Sequence, residues 1–274
     1  MDADMFTRSG VHMVQHRVNR GDLNWLFLPG GPGLGSESLH ELVAAVQTPG
    51  TSWLVDLPGD GSNIDPPGAG EDPYAAWPEV VLEAARAVPN PIFVGHSTGG
   101  MYLLSTPALE HLLAGLVLAC SAPDCSWQSM MDTHPIPAVD VAKARYDASP
   151  GNSTLRELIV ATAPWSFAGA SLDAGTELLA RLPYNHDAVT WSARNFDHVY
   201  ASTWWPRSLP TLVLSGADDR IIDQSVWNDP RFHGGNVLHR TIPGGQHFPW
   251  MENPNAVRAA FAEFIPTIKH EHRP

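Results

Sequence analysis

Two cysteines and 16 basic residues are few for a chain of 274 residues, and each scarcity excludes a class of protein. Cys120 lies on an apolar run and Cys125 in a loop, so two reduced thiols are expected rather than a disulfide framework. Against the 16 basic residues stand 29 acidic ones, a net charge of −13. That balance lacks the positive surplus that nucleic acid or an anionic membrane surface demands. No apolar run approaches the roughly 18 residues of a membrane-spanning helix. The start, Met1-Asp2-Ala3-Asp4, is acidic and has no apolar core, so no signal peptide is expected and the expected location is the cytoplasm. There is no internal repeat and no low-complexity stretch. The oligomeric state leaves no signature in the sequence.

What is present is an alternation of short apolar runs with helical patterns, punctuated by 25 prolines and 23 glycines. Residues 11–29 read as a strand pair: Val11, Met13 and Val18, a turn at Asn19-Arg20-Gly21-Asp22, then the buried run Trp25-Leu26-Phe27-Leu28. A Gly/Pro loop, Pro29-Gly30-Gly31-Pro32-Gly33-Leu34-Gly35-Ser36, leads into the helical spacing of Leu39, Leu42, Val43 and Val46. Bare N–H groups near a helix start suit an anion or an oxyanion. No Lys-Ser/Thr follows the glycines, so this is not a nucleotide-binding P-loop. Trp53-Leu54-Val55-Asp56 is the next strand, and Asp72-Pro73 is expected to open a helix through Trp77, Val80, Val81, Ala84 and Val88. Pro78 is tolerable only in its first turn. Strands at Ile92-Phe93-Val94 and Leu116 to Cys120 continue the rhythm, which predicts a doubly wound, mostly parallel sheet.

From 122 to 207 the rhythm changes: helical patterns such as Leu155, Leu158, Ile159 appear, with no strand-like run. This stretch reads as a helical cap inserted into a core made of 1–121 and 208–274. Trp127, Trp165, Trp191, Trp204 and Trp205 concentrate there and point to an apolar or aromatic substrate group of modest size. The sheet resumes at Thr211 to Gly216 and ends at Val237 to Ile242, before a helix capped by Asn253 and Pro254.

The chemistry is concentrated in Gly95-His96-Ser97-Thr98-Gly99. A buried strand before it and a Gly99-Gly100 helix start after it put Ser97 at the apex of a crowded strand-to-helix turn. Small residues two before and two after are then required, and Gly95 and Gly99 supply them. A serine hydroxyl needs a base oriented by a carboxylate. Of the 13 histidines, His247 in Pro243-Gly244-Gly245-Gln246-His247-Phe248-Pro249 follows the last strand on the carboxyl side of the sheet, where sites of open α/β sheets lie. Asp218 and Asp219 follow the preceding strand on that edge.

These parts in this order resemble an α/β-hydrolase of the capped type, over nearly the whole length, from the 29–35 loop through Asp56-Leu57-Pro58-Gly59-Asp60-Gly61-Ser62 to the terminal helix. The resemblance implies a triad of Ser97, Asp219 and His247, the acid being the third residue after the strand-end Gly216, with Asp218 and Asp124 as alternatives. It implies an oxyanion hole from the N–H groups of Thr98 and Gly31, and a substrate lined by Gly30, His96, Trp127, Trp165 and Phe248. Pro29-Gly30-Gly31-Pro32-Gly33 resembles the His-Gly-Gly-Pro-Gly of proline iminopeptidase-like members, with Pro29 in place of the histidine. The carboxylates of the cap region (Glu157, Asp173, Glu177, Asp187 and Asp197) match no amine-holding pattern. The expected activity is therefore hydrolysis of a small carboxylic ester through an acyl-enzyme. A proline iminopeptidase, a carbon–carbon bond hydrolase, a cofactorless oxygenase or perhydrolase, and a non-catalytic receptor are the alternatives. No cofactor is expected, and the His270/His272 pair has too few further ligands for a metal site.

Overall fold

The computed structural model describes residues 4–131 and 134–268. The pair His270/His272 and the first three residues lie outside them. In chain order the main elements are β1 (Asp4–Phe6), β2 (His12–Val18), β3 (Asn24–Leu28), α1 (His40–Ala45), β4 (Thr51–Asp56), α2 (Trp77–Arg86), β5 (Pro91–His96), α3 (Thr98–Leu104) and β6 (Gly115–Ala119). Then come α4 (Trp127–Met130), α5 (Pro137–Ala148), α6 (Asn152–Ala161), α7 (Ala163–Ser166), α8 (Leu172–Arg181) and α9 (His186–Asn195). β7 (Thr211–Gly216), β8 (Val237–Ile242), α10 (Pro249–Glu252) and α11 (Pro254–Phe264) complete the chain. One eight-stranded sheet has the order β1-β2-β4-β3-β5-β6-β7-β8, parallel from β4 to β8 and antiparallel at β1 and β2.

The expected strand pair at 11–29 needs correction: β2 and β3 both form but are not neighbours, since β4 lies between them. The burial patterns explain the placement. All five residues of β3 are buried, as a strand covered on both faces must be, whereas β2 is half-exposed along its length and sits near the sheet edge. The helix expected from Asp72 also starts later, at Trp77, with Pro78 in its first turn, where the missing N–H costs nothing.

Side chains of the central strands alternate between two apolar layers. Trp25, Phe27, Ile92, Val94, Val117 and Leu212 face α1 and α11, where Trp25 meets Phe261 with ring centroids 6.0 Å apart. Leu26, Leu28, Phe93, Leu116, Leu118 and Val213 face α2 and α3 with Trp77, Val81 and Leu103. The helices α4 to α9 all fall between β6 and β7, so a substantial helical segment rises from the carboxyl edge of the sheet. Both cysteines are free thiols. Among the described residues, no helix is long and apolar enough to cross a membrane.

Candidate active site

Ser97 stands alone between β5 and α3 with φ 51° and ψ −125°. A side chain in that region costs on the order of 1–3 kcal/mol, so the surroundings must hold it there. They do: the Ser97 N–H donates to the Ala119 carbonyl at 2.9 Å, and the Ser97 carbonyl accepts from Ser121 Oγ at 2.8 Å. The two flanking glycines are demanded by contact. A Cβ on Gly95 would stand 2.7 Å from the Gly100 backbone, and one on Gly99 would meet the Pro29 carbonyl. This is the geometry that lifts a serine hydroxyl off a sheet.

The loop after β8 brings His247 to Asp219, which follows β7. His247 Nδ1 is 3.0 Å from Asp219 Oδ2, with the Asp219 side chain 0% and the His247 side chain 7% exposed. Asp219 Oδ1 also accepts the N–H groups of Ile221 at 2.9 Å and Ile222 at 3.1 Å, and Oδ2 accepts from Gln224 Nε2 at 3.2 Å. These donors fix the orientation of the carboxylate. With the Nδ1 proton given to Asp219, the lone pair of His247 lies on Nε2, the arrangement a general base needs. The other two acids are elsewhere: Asp218 is exposed, with its N–H on the Gly245 carbonyl, and Asp124 accepts from the N–H of Ser126 in its own turn.

The 29–36 loop lies against the serine. A Cβ on Gly30 would come within 2.6 Å of Ser97 Cβ, so only glycine fits there. Thr98 Oγ1 donates to the Gly31 carbonyl at 3.1 Å, tying the loop to the first residue of α3, whose N–H has no partner within the helix.

His96 lies beneath the site. It is 2% exposed, its Nε2 bonds the His247 carbonyl at 3.0 Å, and its ring meets those of His247 at 4.9 Å, Phe248 at 4.7 Å and Trp250 at 5.0 Å. Burial first, and His247 second, push its pKa well below the ordinary imidazole value, so it stays neutral and donates from Nε2. Phe248 is buried and stacked on Phe167 at 4.9 Å. Trp127 packs on the cluster of Met101, Ala122, Tyr200 and Ile222, and the Trp165 indole donates to the His134 carbonyl at 2.9 Å. His96 and Phe248 thus brace the His247 loop.

One cluster of metal-ligand types falls here: atoms of Cys120, Asp219 and His247 lie within 4.8 Å of one another. It is poorly suited to a metal. Burial and the Asp219 charge push the Cys120 thiol well above its ordinary pKa, so no thiolate is offered, and Asp219 and His247 already occupy each other.

Two carboxylates that sequence reasoning left without a role support the loop. Asp56 accepts from Ser36 N–H and Ser36 Oγ, both at 2.7 Å, and Asp60 accepts from the Gly33 N–H at 2.6 Å. Their signal was two acidic residues flanking Pro58-Gly59 after a buried strand. Burial above all raises both from 3.8 to about 7. The folded chain thus holds protons up to about pH 7 that the unfolded chain releases near 3.8. Their contribution to stability is full below the unfolded value and is lost as pH rises through the folded one. Urea melts are expected to show stability falling between about pH 4 and 7, with a smaller fall in Asp60→Asn; equal slopes in the two proteins would contradict this.

Comparison with known proteins agrees with this architecture. The sequence is 26% identical over 268 residues to a pimeloyl-[acyl-carrier protein] methyl ester esterase of Xylella fastidiosa, covering 89% of this chain and 95% of that one. It is 25% identical over 234 residues to a protein of the same name from Xanthomonas axonopodis, covering 78% and 84%. The fold is similar to an esterase of Rhodococcus sp. (TM-score 0.69, 19% identity, 98% and 99% coverage). It is likewise similar to a proline iminopeptidase-related protein of Thermus thermophilus (TM-score 0.72, 17% identity, 98% of each chain). Residues 25–260 match the model of the Alpha/beta hydrolase family, and the chain belongs to that family.

Proposed function

We propose that this protein is a serine esterase whose catalytic triad is Ser97, His247 and Asp219. The observation that carries the reading is the buried Asp219–His247 pair, 3.0 Å apart, on the sheet edge where Ser97 is held at φ 51°. Ser97 Oγ attacks the ester carbonyl while His247 Nε2 takes its proton, and Asp219 stabilises the imidazolium that forms. The N–H groups of Gly31 and Thr98 receive the oxyanion. The tetrahedral intermediate collapses to an acyl-enzyme as His247 protonates the departing alkoxide. Water, deprotonated by His247, then releases the acid and restores Ser97.

The substrate class is a small carboxylic ester. The methyl ester named for the bacterial relatives supports this, as a small alkoxide leaving group fits a serine closely overlaid by the 29–33 loop. The helices between β6 and β7 act as the cap (122–207) on a core of 1–121 and 208–274, and the cap sets acyl-chain preference. The test is turnover of p-nitrophenyl esters of two to eight acyl carbons and of methyl esters of longer acids, beside proline and alanine p-nitroanilides. Ester turnover without anilide turnover is expected. Proline anilide as the better substrate would overturn the esterase reading in favour of an iminopeptidase.

A further inference from the structure

The loop that carries Gly30 and Gly31 is rich in glycine, at 30, 31, 33 and 35, and is tied to Thr98 at Gly31 and to Asp56 at Ser36. Between those ties, two distant segments meet at Gly33. From the loop after β4, Asp60 Oδ1 accepts the Gly33 N–H at 2.6 Å and the Gly61 N–H at 2.9 Å. From the start of α9, the Asn185 N–H donates to the Gly33 carbonyl at 2.9 Å. The Asn185 side chain closes the frame. Its Nδ2 donates to the Gly59 carbonyl, and its Oδ1 accepts the Asp187 N–H at 3.0 Å, capping α9. Asp60 is 2% and Asn185 4% exposed, so neither bond competes with water. The three backbones touch: a Cβ on Gly33, whose φ is 90°, would stand 2.6 Å from the Asn185 carbonyl oxygen.

We propose that Asp60 and Asn185 are positioning residues for the oxyanion hole: by holding Gly33 at both its N–H and its carbonyl, they set where the Gly31 N–H points. The inference rests on the reading of the 29–33 loop as the source of an oxyanion donor. Its consequence is that the first residue of α9 and its cap, in the helical segment between β6 and β7, are mechanically joined to the chemical step. A shift of α9 drags Gly33 with it. The ionisable groups that face Asp60 are Asp56 at the end of β4, Glu37 beyond the loop, Tyr74 before α2 and Tyr102 on α3. None is a cation, so what Asp60 offers the loop is its acceptor oxygen.

The test is steady-state kinetics of the full chain on a p-nitrophenyl ester, with Asp60→Ala, Asp60→Asn and Asn185→Ala beside wild type. Asp60→Ala is expected to lower kcat about 30-fold, part of the 10²–10³ that loss of an oxyanion donor costs, with KM within about twofold. Inhibition by a trifluoromethyl ketone, whose adduct places an oxyanion in the hole, should weaken by the same factor. Asp60→Asn keeps an acceptor oxygen and should recover most of kcat. Asn185→Ala leaves Asp60 and the backbone bond to Gly33 in place but removes the side chain that fixes that backbone on Gly59 and on α9; it should lower kcat about fivefold at unchanged KM, and it keeps the question open to test if Asp60→Ala does not fold. A kcat unchanged in Asn185→Ala, a loss falling on KM, or an Asp60→Asn as impaired as Asp60→Ala would overturn the proposal. Failure of the esterase reading looks different: wild type itself would neither turn over esters nor be labelled at Ser97 by a fluorophosphonate.

Discussion

Exchange of Ser97 for alanine is expected to remove ester turnover by about 10⁶-fold, the scale on which loss of a serine nucleophile acts in subtilisin. The fold should survive, because the Ser97 hydroxyl is not what holds the turn. The turn is held by backbone bonds to Ala119 and from Ser121, by the tight approach of Gly95 to Gly100, and by the Leu103 and Leu104 side chains buried behind it. Ser97→Gly separates the two roles of this position more sharply. Glycine accepts φ 51° without a Cβ, so the variant should be as inactive as Ser97→Ala and yet more stable by about 1 kcal/mol. Such a trade, stability gained where chemistry is lost, marks a residue strained for function. Residual turnover of a few per cent in Ser97→Ala, with contaminating activity excluded by its insensitivity to further purification, would point to a different nucleophile.

Asp219→Asn is expected to lower kcat about 10⁴-fold, because the amide presents an N–H to His247 and forces the wrong imidazole tautomer. Its oxygen can still accept from Ile221 and Ile222, so folding is retained and the loss is one of proton placement. Asp218→Asn and Asp124→Asn should remain within about twofold of wild type, since one carboxyl is exposed and the other is spent on Ser126. Measured kcat values for the three variants, with melting temperatures alongside, decide among the acids. A large loss in Asp124→Asn would move the triad acid to the edge of β6.

What could be read from the residues follows from how locally each feature is determined. The turn at Ser97 is written in some fourteen consecutive residues: an apolar strand, small residues at fixed spacing, a Gly-Gly helix start. Asp219 and His247 could be placed on one edge because each follows a strand of the sheet, and parallel strands end on the same side. Strand pairing was less legible. The turn at 19–22 suggested that β2 and β3 pair, but β2 has a half-exposed pattern that suits an edge, and β4 competes for both neighbours. The partners of the 29–36 loop were less legible still: the acidic residues around Pro58-Gly59 could be seen, but not what they hold. Asp60 meets Gly33 across 27 residues and Asn185 meets Gly59 across 126, and nothing in a single sequence links such positions. The tryptophans of the helical segment show the same limit. Composition flagged Trp127 and Trp165, whereas what places them is packing on Tyr200 and Ile222 and a bond to His134.

The most direct measurement is mass spectrometry of the intact protein, acid-quenched within milliseconds of mixing with a p-nitrophenyl ester, followed by peptide mapping. The expected result is a transient mass increase equal to the acyl group on the peptide that contains Ser97, absent in Ser97→Ala and decaying as product acid accumulates. Turnover of the ester with no acyl adduct at any quench time, or with the adduct on another residue, would contradict a mechanism through Ser97.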